Sequence, residues 1–343
     1  MTTPTRPPAN GFVARARKVY NPVGFSKGYN FVLWFIFAGA MFGFALSRMI
    51  FLNYNGIYCN PDSVGQGAGP GECFSYSSKE VYQIGIKLHL YTIIPASLLV
   101  VFQFVPFIRY KAILFHRMNG YTVIILGVVG TVGAIMIAPI SFGGTLAIRG
   151  WVGALSIMFI GSLVISIWNI KVLQLEQHRA WMLRAWFYAG SIITLRLIMI
   201  LSAVIMSTTP SFRQPMPCDK LASFYDNQTS LVEKYPTCKD ADAWVAVQGS
   251  MSGSSENIAS ALSLGFSLGV WLALAIHAVG VEVYLQLTPA ESQRLRTLSY
   301  KRQLERGFKH PGRAGLTADR LGDADKWVPD DGAHSKITKH ESA

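Results

Sequence analysis

Histidine, arginine, lysine and glutamate side chains interrupt long apolar stretches of this sequence. An ionisable group inside hydrocarbon is expensive, and where one is kept it marks a proton path, a ligand or a substrate contact by default. Lys87, His89 and Tyr91 come early in one apolar run, and Arg196 falls in the middle of another. His277 and Glu282 interrupt a third, five positions apart, on adjoining faces of a helix. His116 and Arg117 precede a fourth run, and Glu176, His178, Arg179 and Arg184 precede that of Arg196. His89 with Arg196, or Glu176 with His178, is a set of groups for general acid–base chemistry. Histidines on several helices also suit axial ligation of haem b, with His116 and His178 as candidate ligands and His277 able to approach them. Each group has a structural alternative. Lys87 and Arg48 can extend to a membrane interface. His89 and Arg196 can tie helices together, and Arg117, Arg179 and Arg184 are common topology determinants.

The elements that position these groups are membrane spans. The chain has 343 residues, 51% hydrophobic and 15% charged, with a mean hydropathy of +0.31. A soluble domain carries about 25% charged residues, so too little charge is present to cover a water-facing surface. Crossing hydrocarbon takes about 20 apolar residues, and Phe31–Phe51, Val81–Val105, Tyr121–Ile140, Trp151–Lys171, Ala185–Ser207 and Ile258–Leu285 qualify. The expected fold is an all-α integral membrane bundle of six transmembrane helices. Continuous runs of this length exclude the short alternating strands of a membrane barrel. The first run is too long for a cleaved leader and reads as a retained anchor. Small residues (Gly127, Gly130 and Gly133; Ser263, Ser267 and Gly269) mark seams where helices approach closely.

The net charge of +12 is a topology signal, with no nucleic-acid partner implied. Twenty-two of the 31 Lys and Arg residues fall on one side of the spans, six on the other, and Arg48, Lys87 and Arg196 within them. The basic side is cytosolic, which puts both termini there. All four cysteines and the sequon Asn227-Gln228-Thr229 fall in the two long loops of the opposite side, where disulfides and a glycan form. Four cysteines allow three pairings; Cys59–Cys73 and Cys218–Cys238 are the simplest, each closing one loop. The expected organisation is a basic arm at 1–30, a bundle at 31–285 with exoplasmic loops at 52–80 and 208–257, and a cytosolic segment at 286–343. That last segment opens on a capping box, Thr288-Pro289-Ala290-Glu291, heads a basic helix to about Phe308, and turns polar beyond Pro311, where disorder is expected.

Trp34, Trp168 and Trp271 lie deep enough to line a cavity, whereas other Trp and Tyr residues sit at span ends as belts. There is no nucleotide loop, no zinc-protease or hydrolase-elbow motif, and no Asp-Asp-x-x-Asp to bind diphosphate through Mg²⁺. Two blocks carry a resemblance. His89-x5-Pro95, Gln103-Phe104, Arg109 and His116-Arg117-x-x-Gly120 form one. His178-Arg179, Trp181-Met182, Arg184 and the intramembrane Arg196 form the other. Together they resemble a family of multi-pass membrane proteins of unknown function found in fungi and bacteria. In size and hydropathy the chain is also similar to the membrane-bound terpene cyclases of ascofuranone and ascochlorin biosynthesis. That second resemblance implies metal-independent, acid-initiated cyclisation of a prenyl chain or its epoxide. The partners would be a hydrophobic prenylated substrate and the bilayer, no cofactor would be needed, and an endomembrane, the endoplasmic reticulum, would be the place. The catalytic candidates are His89, Arg196, Glu176 and His178. No carboxylic acid lies buried within the runs to supply the proton. A haem b protein, and a transporter or scaffold without catalysis, are the competing expectations.

Overall fold

The chain's helices follow its apolar runs, as the computed structural model, which describes residues 10–60 and 67–329, makes plain. In order they are α1 (Gly11–Tyr20), α2 (Gly28–Arg48), α3 (Glu72–Ser77), α4 (Glu80–Val100), α5 (Pro106–Lys111), α6 (Ile113–Ile137) and α7 (Leu146–Lys171). There follow α8 (Leu175–Met206), α9 (Cys218–Ala222), α10 (Gln228–Lys234), α11 (Ser255–Gln286), α12 (Pro289–Glu305) and α13 (Ala318–Leu321). Six of them, some extended by a 3-10 turn, are long and apolar enough to cross a membrane: Gly28–Leu52, Glu80–Phe104, Ile113–Ile137, Leu146–Lys171, Leu175–Met206 and Ser255–Gln286. The protein is an all-α multi-pass membrane protein. Every expected run coincides with a helix, but α6 starts at Ile113 and α8 at Leu175, eight and ten residues before the apolar stretches. Backbone hydrogen bonding carries a helix past the hydrocarbon edge, whereas hydropathy marks only its greasy part. His116, Glu176 and His178 are therefore helical.

The chain divides into two units. One comprises residues 1–153 and 192–271, the other 154–191 and 272–343. In the first, α4 and α6 make the most extensive helix pair. Gly127, Gly130 and Gly133 of α6 are buried, and a Cβ on Gly133 would come within 2.6 Å of both the Gly85 carbonyl oxygen and the His89 nitrogen. Only glycine admits so close a pass. After α2 the chain makes a π-turn over Tyr54–Tyr58, and the Cys59–Cys73 disulfide joins it to α3. Tyr54 and Tyr76 thereby pack on Ile86, Leu90, Ile94 and Ile137. The other long loop contains the described strands, β1 (Arg213–Pro217) and β2 (Trp244–Gln248), antiparallel with Pro215 opposite Ala246. Cys218–Cys238 and a small core of Met216, Leu221, Leu231, Val247 and Ala259 hold it. Both expected disulfides are present.

In the second unit Phe159 meets Trp186 edge to face, and the turn between α7 and α8 is packed by the C-terminal segment. Leu175 N–H donates to Ser299 Oγ at 2.8 Å, Leu316 N–H to Asn169 Oδ1 at 2.9 Å, and Gly312 N–H to Gln303 Oε1 at 2.7 Å. Part of the segment beyond Pro311, expected to be disordered, is thus packed on this turn, through long-range contacts that composition cannot reveal. Asp319, for one, meets Arg296 at 2.7 Å; the expectation for 330–343 lies outside the described residues. The capping box is not formed either. The Thr288 hydroxyl donates back to the Tyr284 carbonyl and accepts from Arg179, while Glu291 pairs with Arg294. Trp168 and Trp271, expected in a cavity, are exposed.

Candidate functional site

The first unit gathers a polar cluster against the end of the bundle that carries the disulfides. Gly71, in the left-handed region at φ +72, turns the chain into α3; a Cβ there would lie 2.7 Å from Lys220 Cε. Glu72 follows and is 4% exposed. Its carboxylate accepts from Lys220 Nζ at 3.2 Å, from the Tyr76 hydroxyl at 3.3 Å and from the Phe142 N–H at 2.9 Å. Glu72 adjoins Cys73 and Lys220 lies near Cys218, so each member of this buried ion pair is anchored by its own disulfide. The Tyr76 hydroxyl also lies 3.5 Å from Ser141 Oγ and hydrogen-bonds Tyr58. Burial, chiefly, pushes the Tyr58 and Tyr76 phenols above their usual range, so both keep their protons at neutral pH.

Phe142, which donates to Glu72, has φ +49. For a bulky residue this is an uncommon and strained backbone, held here by the Glu72 contact and by Ser263, whose hydroxyl donates to the Phe142 carbonyl. Such strain persists where the surroundings over-determine it, often at functional sites. The Phe142 ring stacks on Phe266 with centroids 4.2 Å apart and planes 6° off parallel. Trp151, 4% exposed, meets Phe266 edge to face at 6.2 Å. The Arg196 guanidinium lies 5.2 Å from the Phe142 centroid and 5.4 Å from that of Phe266.

His89 is placed by the α4–α6 seam. Its Nδ1 lies 2.8 Å from the Gly130 carbonyl oxygen. A carbonyl only accepts, so Nδ1 carries the proton, and in the neutral ring Nε2 presents a lone pair. His89 and Arg196, paired on the sequence alone, are within electrostatic reach of each other but share no hydrogen bond. Lys87 lies over the Tyr54 ring at 4.8 Å, and Arg48 over Phe44 and Phe51.

The other candidates are in the second unit, except His116, which belongs to the first turn of α6. Glu176 and His178 are not brought together. Residues two apart on a helix do not face each other; Glu176 pairs with Arg296 at 3.3 Å, and His178 Nδ1 lies 2.8 Å from Ser166 Oγ. His277 donates to the Phe187 carbonyl, and Arg184 grips Glu282 with two bonds of 2.6 and 2.9 Å. No group of three His, Cys, Asp or Glu residues among the described residues could hold a metal ion. Asn227 is exposed and caps α10, its Oδ1 accepting from Ser230 N–H.

Glu72, Tyr76, Lys220, Phe142 and Trp151 were not legible as a site. The usable sign was Glu72 itself, a carboxylate beside a disulfide cysteine and directly after a glycine-rich stretch, where backbone constraint can force burial. A family described as "Predicted membrane protein (DUF2306)" matches residues 86–215, which include His89, Phe142, Trp151 and Arg196. The chain is also similar to "Ava biosynthesis cluster protein G" of Aspergillus versicolor, 24% identical over 321 residues, covering 80% of this chain and 93% of the relative. No solved structure matches it. The chain is thus a multi-pass membrane protein, similar to a fungal biosynthesis-cluster protein along most of its length.

Proposed function

We propose that this protein is a membrane-embedded terpene cyclase of fungal secondary metabolism, acting on a prenylated small molecule by acid-initiated ring closure. The observation that carries the reading is the buried Glu72 carboxyl, hydrogen-bonded to Tyr76 and to the backbone N–H of Phe142, whose ring stacks on Phe266. It is the carboxyl that hydropathy gave no reason to expect. The similarity to a biosynthesis-cluster protein supports the metabolic setting.

In this mechanism Glu72 takes a proton from the Lys220 ammonium paired with it, which turns the Tyr76 hydrogen bond round, and the Tyr76 hydroxyl passes a proton to the epoxide oxygen or terminal alkene. The epoxide C–O bond breaks, neighbouring double bonds close the ring, and the aromatic faces stabilise the migrating positive charge. Loss of a proton to a base ends the sequence, and the His89 Nε2 lone pair fits that role. Substrate and product are isomers, so no oxidant or reductant enters. The disulfides and the sequon support a setting in which this end of the bundle faces the lumen of the endoplasmic reticulum. Protein purified into nanodiscs and given a farnesylated phenol epoxide should yield a cyclised product of unchanged mass. Glu72→Gln and His89→Ala should each lose it. A folded, disulfide-intact sample that converts no prenylated phenol or epoxide overturns the reading.

A further inference from the structure

Arg196 carries a charge that nothing near it answers. Glu72 is the acid in its electrostatic surroundings, alongside Tyr58, Tyr76 and Arg48, and Glu72 is already paired with Lys220. Among the described residues no oxygen accepts from the guanidinium; its one hydrogen-bond contact is the Met199 sulfur at 3.8 Å. The two phenyl rings do not substitute for an anion. They are nearly parallel and 4.2 Å apart, and the guanidinium carbon is almost equidistant from both centroids. A cation–π contact accepts no N–H and supplies no counter-charge, so the guanidinium still lacks an anion. A second donor is also unanswered: the Trp151 indole N–H is buried with no partner among the described residues, and its ring abuts Phe266, as Arg196 does.

We infer that Arg196 and the Trp151 N–H form a receptor for the carboxylate of an amphiphilic acid, the acidic end of the prenylated substrate. A planar guanidinium matches a carboxylate with two parallel donors, and Arg196 is partly open, so a ligand can reach it. The assignment rests on the cyclase reading for the identity of the tail, and it removes a difficulty in that reading. An unneutralised guanidinium would oppose a carbocation travelling past Phe142 and Phe266, whereas a bound carboxylate cancels it. Arg196 and Trp151 are then positioning residues, holding one end of the substrate while the prenyl chain folds.

The test measures binding alone. Nanodisc-embedded protein is titrated with a farnesylated hydroxybenzoic acid, its methyl ester and oleate, read by thermophoresis. The free acid should bind roughly ten- to a hundred-fold tighter than the ester, as for a charge-assisted hydrogen-bonded pair. Arg196→Gln should erase that preference, Arg196→Lys keep part of it, and Trp151→Phe reduce it several-fold. Equal binding of acid and ester by the unaltered protein overturns the inference without relying on any variant. A preference that survives Arg196→Gln overturns it too, and tighter binding of oleate overturns the assignment to a prenylated acid. Preferential acid binding without turnover would instead refute the cyclase and leave the receptor standing. Turnover of acid and ester at equal efficiency, indifferent to Arg196→Gln, would do the reverse.

Discussion

Glu72→Gln separates what the buried ion pair does for the fold from what its carboxyl does for chemistry. At 3.2 Å and an effective dielectric of about 20, the attraction between Glu72 and Lys220 is about 5 kcal/mol, and desolvation of the two groups offsets much of it. Removing the carboxylate alone leaves the Lys220 ammonium, 8% exposed, without a counter-charge. That should destabilise the protein by about 3–5 kcal/mol, and Lys220→Met should cost a similar amount by stranding Glu72. The double variant Glu72→Gln/Lys220→Met strands neither, and its loss should fall well below the sum of the singles. The amide that replaces the carboxylate keeps an oxygen to accept from the Phe142 N–H, so the strained turn at Phe142 is retained. Thermal unfolding in nanodiscs, followed by loss of the folded peak in fluorescence-detected gel filtration, reads all four species. Single-variant losses that simply add in the double variant would refute the buried pair. Full cyclisation by a well-folded double variant would refute Glu72 as the proton carrier.

Gly133→Ala drives a methyl group into the Gly85 carbonyl and the His89 backbone and should cost roughly 1–3 kcal/mol, with any cyclisation falling further than stability because His89 is displaced. Replacing Cys218 and Cys238 together by Ser opens a loop of 20 residues and should lower stability by about 3 kcal/mol, seen as earlier thermal unfolding and proteolysis between 208 and 257. Burial alone would raise the Asp319 carboxyl, but its hydrogen bonds and charge contact with Arg296 hold it below the ordinary 3.8. A carboxyl lowered on folding contributes fully above its unfolded value and loses that contribution as pH falls through its folded one. Residues 312–329 should therefore become protease-sensitive only in acid, and at neutral pH in Asp319→Asn; equal protection of both at neutral pH would contradict the clamp. Expression in a eukaryotic host should give a glycan-dependent gel shift that Asn227→Gln abolishes, and a shift absent from the unaltered protein would argue against a lumenal loop.

The fold was legible where one physical quantity dominates. Apolar length finds spans because a bilayer punishes anything else, and both disulfides follow once cysteines are confined to two loops. What hydropathy misjudged is the material outside hydrocarbon. It ended α8 short of Glu176 and His178, which extend the helix into polar surroundings, and it left residues 312–329 as a solvated tail. Their order depends on contacts such as Leu316 with Asn169, separated by more than a hundred residues. Local composition holds no trace of such a pairing. The same limit dissolved the Glu176–His178 pair, since Arg296, remote in sequence, claims the carboxylate.

The candidate site shows why a search for charges inside spans finds only half of such a centre. An Asp placed mid-span costs about 2.5–3.5 kcal/mol at insertion, a penalty a catalytic acid need not meet if it arrives on a loop. Here the acid rides on α3, outside the apolar runs, and is folded back over the bundle end by the Gly71 turn and the Cys59–Cys73 link. Its counter-ion arrives on a second loop in the same way. The spans supply what a loop cannot, a rigid imidazole, a guanidinium and the Phe266 ring, on which Phe142 of the α6–α7 turn stacks. Of the site's ionisable groups, insertion then needs only His89 and Arg196 to be tolerated in the bilayer, and the proton-carrying group is added after the helices are in place. By this logic, reducing both disulfides in folded protein should impair any turnover more than it impairs carboxylate binding at Arg196, because the loops hold the acid while the spans hold the receptor.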